Sequence, residues 1–112
     1  MSPDNQTLIP ERFSALYIPP GRHKPSLPWS ELAQRHELCE DLAQMLTEQA
    51  ANQAATHTLD ESQVLERCLA GLHASPDLVS DVEARWVICR LAELLQWPQP
   101  DWAADLGAPN AY

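Results

Sequence analysis

Between Ser80 and Pro98 the chain reads SDVEARWVICRLAELLQWP, a run with a start, a stop and apolar residues on more than one side. Wound as a helix at about 100° per residue, it places Ala84, Val87, Ile88, Leu91, Leu94 and Leu95 on one broad face and Val82, Trp86 and Cys89 almost opposite. Ser80 and Glu83 are spaced as a capping box, the serine oxygen taking a free backbone N–H and the glutamate reaching back. Pro98 stops the run. A helix apolar on two faces has to be covered twice, so the rest of the chain is read as its cover. This predicts an all-α fold, a compact bundle of three principal helices with an N-terminal proline-rich strap, in which residues 80–97 form the central helix.

Two other stretches have one apolar face each. Residues 28–52 open with Pro28 and carry Leu32, Leu38, Cys39, Leu42, Ala43, Met45 and Leu46 on one side against Glu37, Glu40, Asp41, Gln44 and Glu48 on the other. The following QAANQAAT lacks large apolar groups, which predicts fraying across Ala51 to Thr56. Thr58 and Glu61 have capping-box spacing at the start of a helix over 58–73, where Val64, Leu65, Cys68, Leu69 and Leu72 share a face. Gly71 inside that helix implies close approach of another backbone or an early end. Leu78 and Val79 are expected to tuck inward, and Trp102 to Leu106 to add one more turn.

Ahead of the helices, LIPERFSALYIPPGRHKPSLP combines prolines with large apolar residues. Pro10 can open a helical turn bearing Phe13, Leu16 and Tyr17, and Pro19, Pro20 and Gly21 then force an extended strap and a turn. Phe13 to Ile18 should dock on the bundle, since they bring apolar surface enough to offset the entropy of ordering. Residues 1–7 should be mobile and 107–112 loose, leaving a single helical domain over 8–106. With 112 residues no second domain is expected.

Sixteen acidic residues against seven basic ones give a formal net charge of −9, which repels phosphate backbones and anionic membranes. Nucleic acid is therefore not an expected partner, and no stretch has the length of a membrane span. The N-terminus lacks a basic and apolar leader pattern, and the three cysteines are odd in number without paired spacing, so a cytoplasmic location is expected. Arg22, His23 and Lys24 form the one basic cluster, a solvated loop or an anchor for an acidic partner or a phosphate.

Catalytic signatures are missing where they would be looked for. The three glycines are far apart and make no phosphate-binding loop, no serine sits in a nucleophile elbow, and the acidic stripe of Glu37, Asp41 and Glu48 reads as a solvated face. The chain is thus expected to be no enzyme and to carry no cofactor. Cys39, Cys68 and Cys89, one on the apolar side of each helix, with His36 one turn before Cys39, could ligate zinc tetrahedrally. Without a CxxC pair they read first as small buried hydrophobes, with zinc the alternative. Trp97 and Trp102, flanking PQP, are candidate interface anchors. Trp86, Phe13 and Tyr17 join them if the strap leaves the Trp86 face open.

Read together, ERFSALYIPPGRHKP, ELCEDLAQMLTEQA and EARWVICRLAELLQWP resemble a family of short proteobacterial helical proteins often labelled "ATPase with chaperone activity". The resemblance spans about Glu11 to Pro98, carries no nucleotide-binding motif, and implies a helical fold with a chaperone-like or adaptor role. The expected function is a non-catalytic protein-interaction module, binding a protein partner or a second copy of itself as a homodimer.

Overall fold

The computed structural model describes residues 9–56 and 59–105. In order the chain forms a short helix α1 (Glu11–Ser14), which runs into a 3-10 turn (Ala15–Tyr17), then α2 (Trp29–Thr56), α3 (Glu61–His73), α4 (Asp81–Leu95) and a 3-10 segment (Asp101–Asp105). The fold is all-α, and no strand is found among the described residues. None of the described helices is long and apolar enough to cross a membrane. The stretches expected to be loose, 1–7 and 107–112, and Thr58 of the expected capping box, lie outside the described residues.

Helix α4 is the centre of the bundle. Ala84, Val87, Ile88 and Leu91 on one face are fully buried, and Trp86 and Cys89 on the other are buried too. Its capping box forms as the spacing predicts: Ser80 accepts from the Glu83 N–H at 3.2 Å, and Glu83 Oε1 accepts from the Ser80 N–H at 2.8 Å. Its end lies earlier than proline alone requires. Gln96 takes the left-handed conformation at φ 60°, and the N–H groups of Gln96 and Trp97 donate back to Glu93 and Ala92, which closes the last carbonyls before Pro98 is reached.

α2 packs along one face of α4 and the two run in the same direction, since Arg35 meets Glu83 and Glu40 meets Arg90. α3 returns antiparallel beside both. The expected fraying of α2 does not occur, and the helix continues to Thr56. Ala50 is wholly buried and Ala54 packs on the core, so the small side chains that looked weak in sequence form the inward stripe there. Met45, assigned to the apolar side, is 71% exposed, because the buried positions Leu32, His36, Cys39, Ala43 and Ala50 define a narrower stripe than the sequence pattern suggested.

Other local expectations are corrected in the same way. The capping box of α3 is made by Asp60 and Gln63 and not by Thr58 and Glu61: the Asp60 side chain accepts from the Gln63 N–H at 2.8 Å, the Gln63 side chain accepts from the Asp60 N–H at 3.1 Å, and Glu61 is the first helical residue. Val79 is buried as expected, but Leu78 and Val82 are exposed. Gly71 marks neither a close approach nor a helix end: α3 continues to His73, and a Cβ added there would meet nothing within 4 Å.

The second cover of α4 is the strap. Phe13 is 0% exposed and its ring meets the edge of Trp86 at 5.0 Å between centroids, with Tyr17 at 5.4 Å and His36 at 5.3 Å around it. The Trp86 face is thereby closed within the chain.

Two substitutions test this arrangement by chemical denaturation. Phe13→Ala should cost about 3–5 kcal/mol, a large part of a domain's whole stability, if the strap is part of the core; a loss below about 1 kcal/mol would show that it is not. Gly71→Ala should stabilise the protein by about 0.5–1 kcal/mol, because it removes the entropic cost of glycine in a helix without adding a clash.

Candidate functional site

Where α4 ends, the left-handed Gln96 turns the chain back, and Pro98-Gln99-Pro100 continues without regular structure. Gln99 fastens this segment to the bundle by donating from Nε2 to the Cys89 carbonyl at 3.1 Å. The 3-10 segment then begins, with the Ala103 N–H donating to the Pro100 carbonyl at 3.0 Å. It brings Trp102 over the Arg85 guanidinium at 5.5 Å from the ring centroid. Arg85 also lies 3.4 Å from Asp81, a charge contact made one turn back along its own helix.

Between this segment and the first two turns of α3 lies a cleft of about 340 Å³. Its walls are Pro98, Pro100, Trp102 and Leu65, and its rim carries the carboxylates of Asp60, Glu61, Glu66 and Asp101. No lysine, arginine or histidine lines it. Three of the carboxylates have local reasons to be there. Asp60 is a cap, Glu61 sits where the helix dipole favours negative charge, and Asp101 opens the 3-10 segment. Glu66 has no such role, and together with Asp101 and Trp102 it makes the cleft a place where a positive charge is attracted electrostatically and can also rest against an aromatic wall.

A second cleft, about 360 Å³, opens beneath the start of the strap. Its rim is a chain of alternating charges: Arg12 to Glu93 at 3.2 Å, Glu93 to Arg90 at 3.1 Å, and Arg90 to Glu40 by two bonds of 2.9 and 3.1 Å. His36 forms part of its floor, 9% exposed, with ring contacts to Phe13 and Trp86 at 5.3 and 5.5 Å. Burial holds the imidazole below its ordinary pKa; Glu40 and Glu37 oppose that shift and Arg90 adds to it. The charges on this rim are matched to one another, so the cleft has no net attraction for an ion of either sign.

Below it, the Glu83 carboxylate is 3% exposed and accepts four hydrogen bonds, the one from the cap included. Arg35 donates through Nη2 and Nε at 2.6 and 2.9 Å, Tyr17 donates its hydroxyl, and the Ser80 N–H completes the set. Burial alone would raise the carboxyl, but the bonds from Arg35, Tyr17 and Ser80 outweigh it and hold its pKa at about 2. Tyr17 is kept protonated, its pKa raised by burial and by the adjacent Glu83.

The sequence-derived candidates divide sharply. Phe13 and Trp86 are consumed in the core and Tyr17 is engaged by Glu83, so these three do not form an open interface. Trp97 and Trp102 are both partly buried against the core, and Trp102 also lines a cleft. Cys39, Cys68, Cys89 and His36 are not brought together. Among the described residues no group of three or more histidine, cysteine or acidic side chains is placed to hold a metal ion. The thiols are free and buried, and burial pushes Cys39 up to about 12, Cys89 up to about 11 and Cys68 in the same direction, which favours the neutral form over the thiolate that zinc needs. Glu37, Asp41 and Glu48 are exposed, whereas Glu40 of the same stripe is drawn into the pair with Arg90. The acidic cleft itself was not visible in sequence, since its two halves are about 35 residues apart and each half has an ordinary local reading.

No protein-family model, no curated protein and no solved structure matches this chain.

A pH titration of stability should separate the two buried titratable groups. Folding favours neutral His36, so its contribution is complete above the ordinary histidine pKa of about 6.5 and is lost as the pH falls from there through the lower value of the folded state. Glu83 contributes fully above the ordinary carboxylate value of 4.5, and its share is lost as the pH falls through about 2. Denaturant midpoints for the wild type should therefore decline from about pH 6.5 downward, and His36→Phe should delay the first decline. An unchanged profile in that variant would exclude His36 as its source.

Proposed function

We propose that the protein is a non-catalytic interaction module whose recognition surface is the acidic cleft between α3 and the 98–102 segment, and that it receives a positively charged segment of a protein. The observation that carries this reading is the placement of Glu66, Asp101 and Trp102 around one cavity with no cation among its lining residues. A lysine or arginine side chain entering it would meet carboxylates at the rim and could lay its aliphatic stem along Trp102, Pro98 and Pro100. Trp102 already receives a guanidinium, that of Arg85, which is a precedent within the molecule for the contact proposed. The net charge of −9 favours a basic partner by steering as well as by contact. The chaperone-like role implied by the family resemblance would be a special case, in which the bound segment belongs to a client.

Titration of the full chain with a short arginine-rich peptide, followed by tryptophan fluorescence, tests the reading. Binding should weaken as salt rises, and Glu66→Lys with Asp101→Lys should lower affinity about tenfold or more, two exposed charges being reversed without touching the core. Absence of binding at low salt, or binding indifferent to the double reversal, would remove the cleft as the recognition surface.

A further inference from the structure

The cleft has a counterpart elsewhere on the same chain. Pro19 to Arg22 forms a turn closed by the Arg22 N–H donating to the Pro19 carbonyl at 3.0 Å, with Pro20 and Gly21 at its centre and Gly21 at φ +80°. Proline followed by a glycine of positive φ is the pattern of a type II turn, which is stiff before any partner arrives. From it Arg22, His23 and Lys24 project into solvent. Arg12, Arg35, Arg85 and Arg90 are each engaged by a carboxylate of their own chain, while among the described residues no ion pair or hydrogen bond engages the side chain of Arg22 or Lys24 in the turn, or of the isolated Arg67 on α3. The turn is thus a preformed basic knuckle with uncommitted charges.

We propose that the Arg22–Lys24 turn of one copy docks in the acidic cleft of a second copy, so that the protein associates with itself head to tail. This rests on the reading of the cleft as a receptor for positive charge and names its first occupant. The charges are complementary: Glu66 and Asp101, with Asp60 and Glu61 behind them, face Arg22 and Lys24. The stiffness of the turn means little conformational entropy is lost on docking. Within one chain no hydrogen bond or ion pair joins Arg22 or Lys24 to the carboxylates of the cleft among the described residues. Docking therefore joins unlike surfaces of different copies, each of which keeps a free turn or a free cleft for a further copy. The overall charge of −9 opposes close approach, but screening confines that repulsion to about 8 Å at physiological salt, leaving the contact patch to decide.

Sedimentation velocity of the full chain, from low micromolar to high micromolar concentration at about 0.1 M salt, provides the test, with circular dichroism confirming that each variant is folded. The wild type should gain mass with concentration. The turn variant, Arg22→Glu with Lys24→Glu, and the cleft variant, Glu66→Lys with Asp101→Lys, should each stay monomeric alone. Their equimolar mixture should associate again, because one supplies a native cleft and the other a native turn. A wild type that is monomeric throughout, association that survives in either variant, or a mixture that fails to associate would overturn the proposal. The arginine-rich peptide distinguishes the levels of failure: a monomeric wild type that still binds the peptide loses self-docking and keeps the receptor cleft, and one that does neither loses both.

Discussion

The carboxylate of Glu83 is the point at which the local and the long-range structure meet. As the third residue of α4 it closes the capping box with Ser80, a job that sequence alone assigns. The same two oxygens also hold the Arg35 fork from α2 and the Tyr17 hydroxyl from the strap, and Arg35 reaches on to the Leu78 carbonyl at 3.0 Å in the loop that precedes α4. One residue thus fixes where α4 starts, which face it turns to α2, and where the strap crosses. A buried charge of this kind is tolerated because every lone pair that would miss water has a donor, several of them charged or strongly polarised. Removing any single donor leaves the others carrying a less well solvated anion, so the three elements are coupled through it and not merely adjacent.

The packing of α4 explains why the strap has to be where it is. Its Leu91 face lies in one buried cluster with residues of both amphipathic helices, among them the small Cys39, Ala43 and Ala50 of α2. The Trp86 face needs wide, flat cover instead. Phe13 provides it with edge-to-face contacts to Trp86 and His36, a geometry in which aromatic rings gain from electrostatics as well as from area. His36 is accommodated in this cluster as a neutral ring, behaving as an aromatic wall more than as a base.

What could be read from the sequence was what depends on periodicity and on near neighbours. The two-sided helix, its cap at Ser80 and Glu83, and the docking of Phe13 all follow from residues a few positions apart or from the plain need to cover apolar surface. The errors have the same origin viewed from the other side. Ala51 to Thr56 looked weak because alanine has little to bury, yet the helix continues through them with Ala54 packed on the core while Ala51 and Ala55 face solvent. Asp60 was passed over as a cap for Thr58 because both have capping chemistry and only the backbone geometry chooses between them. Arg35 to Glu83 and Glu40 to Arg90 span 48 and 50 residues, and charge pattern gives no means of matching distant partners. The cleft belongs with these, since it exists only when the 98–102 segment folds back onto α3.

That fold-back bears on which parts of the surface have a role beyond folding. α4 has already satisfied its last carbonyls through Gln96 and Trp97, and its two faces are covered mainly by α2, α3 and the strap, with Trp97, Trp102 and Ala103 adding to the cover of the core. The chain nonetheless continues through two prolines, anchors itself by Gln99 on the Cys89 carbonyl, and sets Trp102 against Arg85. Arg35 and Arg90 are drawn to carboxylates, which leaves the outer surface mostly acidic, and the turn at Arg22 to Lys24 and the exposed Arg67 interrupt it. An acidic surface in general needs no explanation beyond solubility. An acidic rim joined to an aromatic wall is a different matter, because Trp102 is only partly buried against the core, so that its ring both covers the bundle and lines the cleft, the arrangement that the proposed recognition of a cation would use.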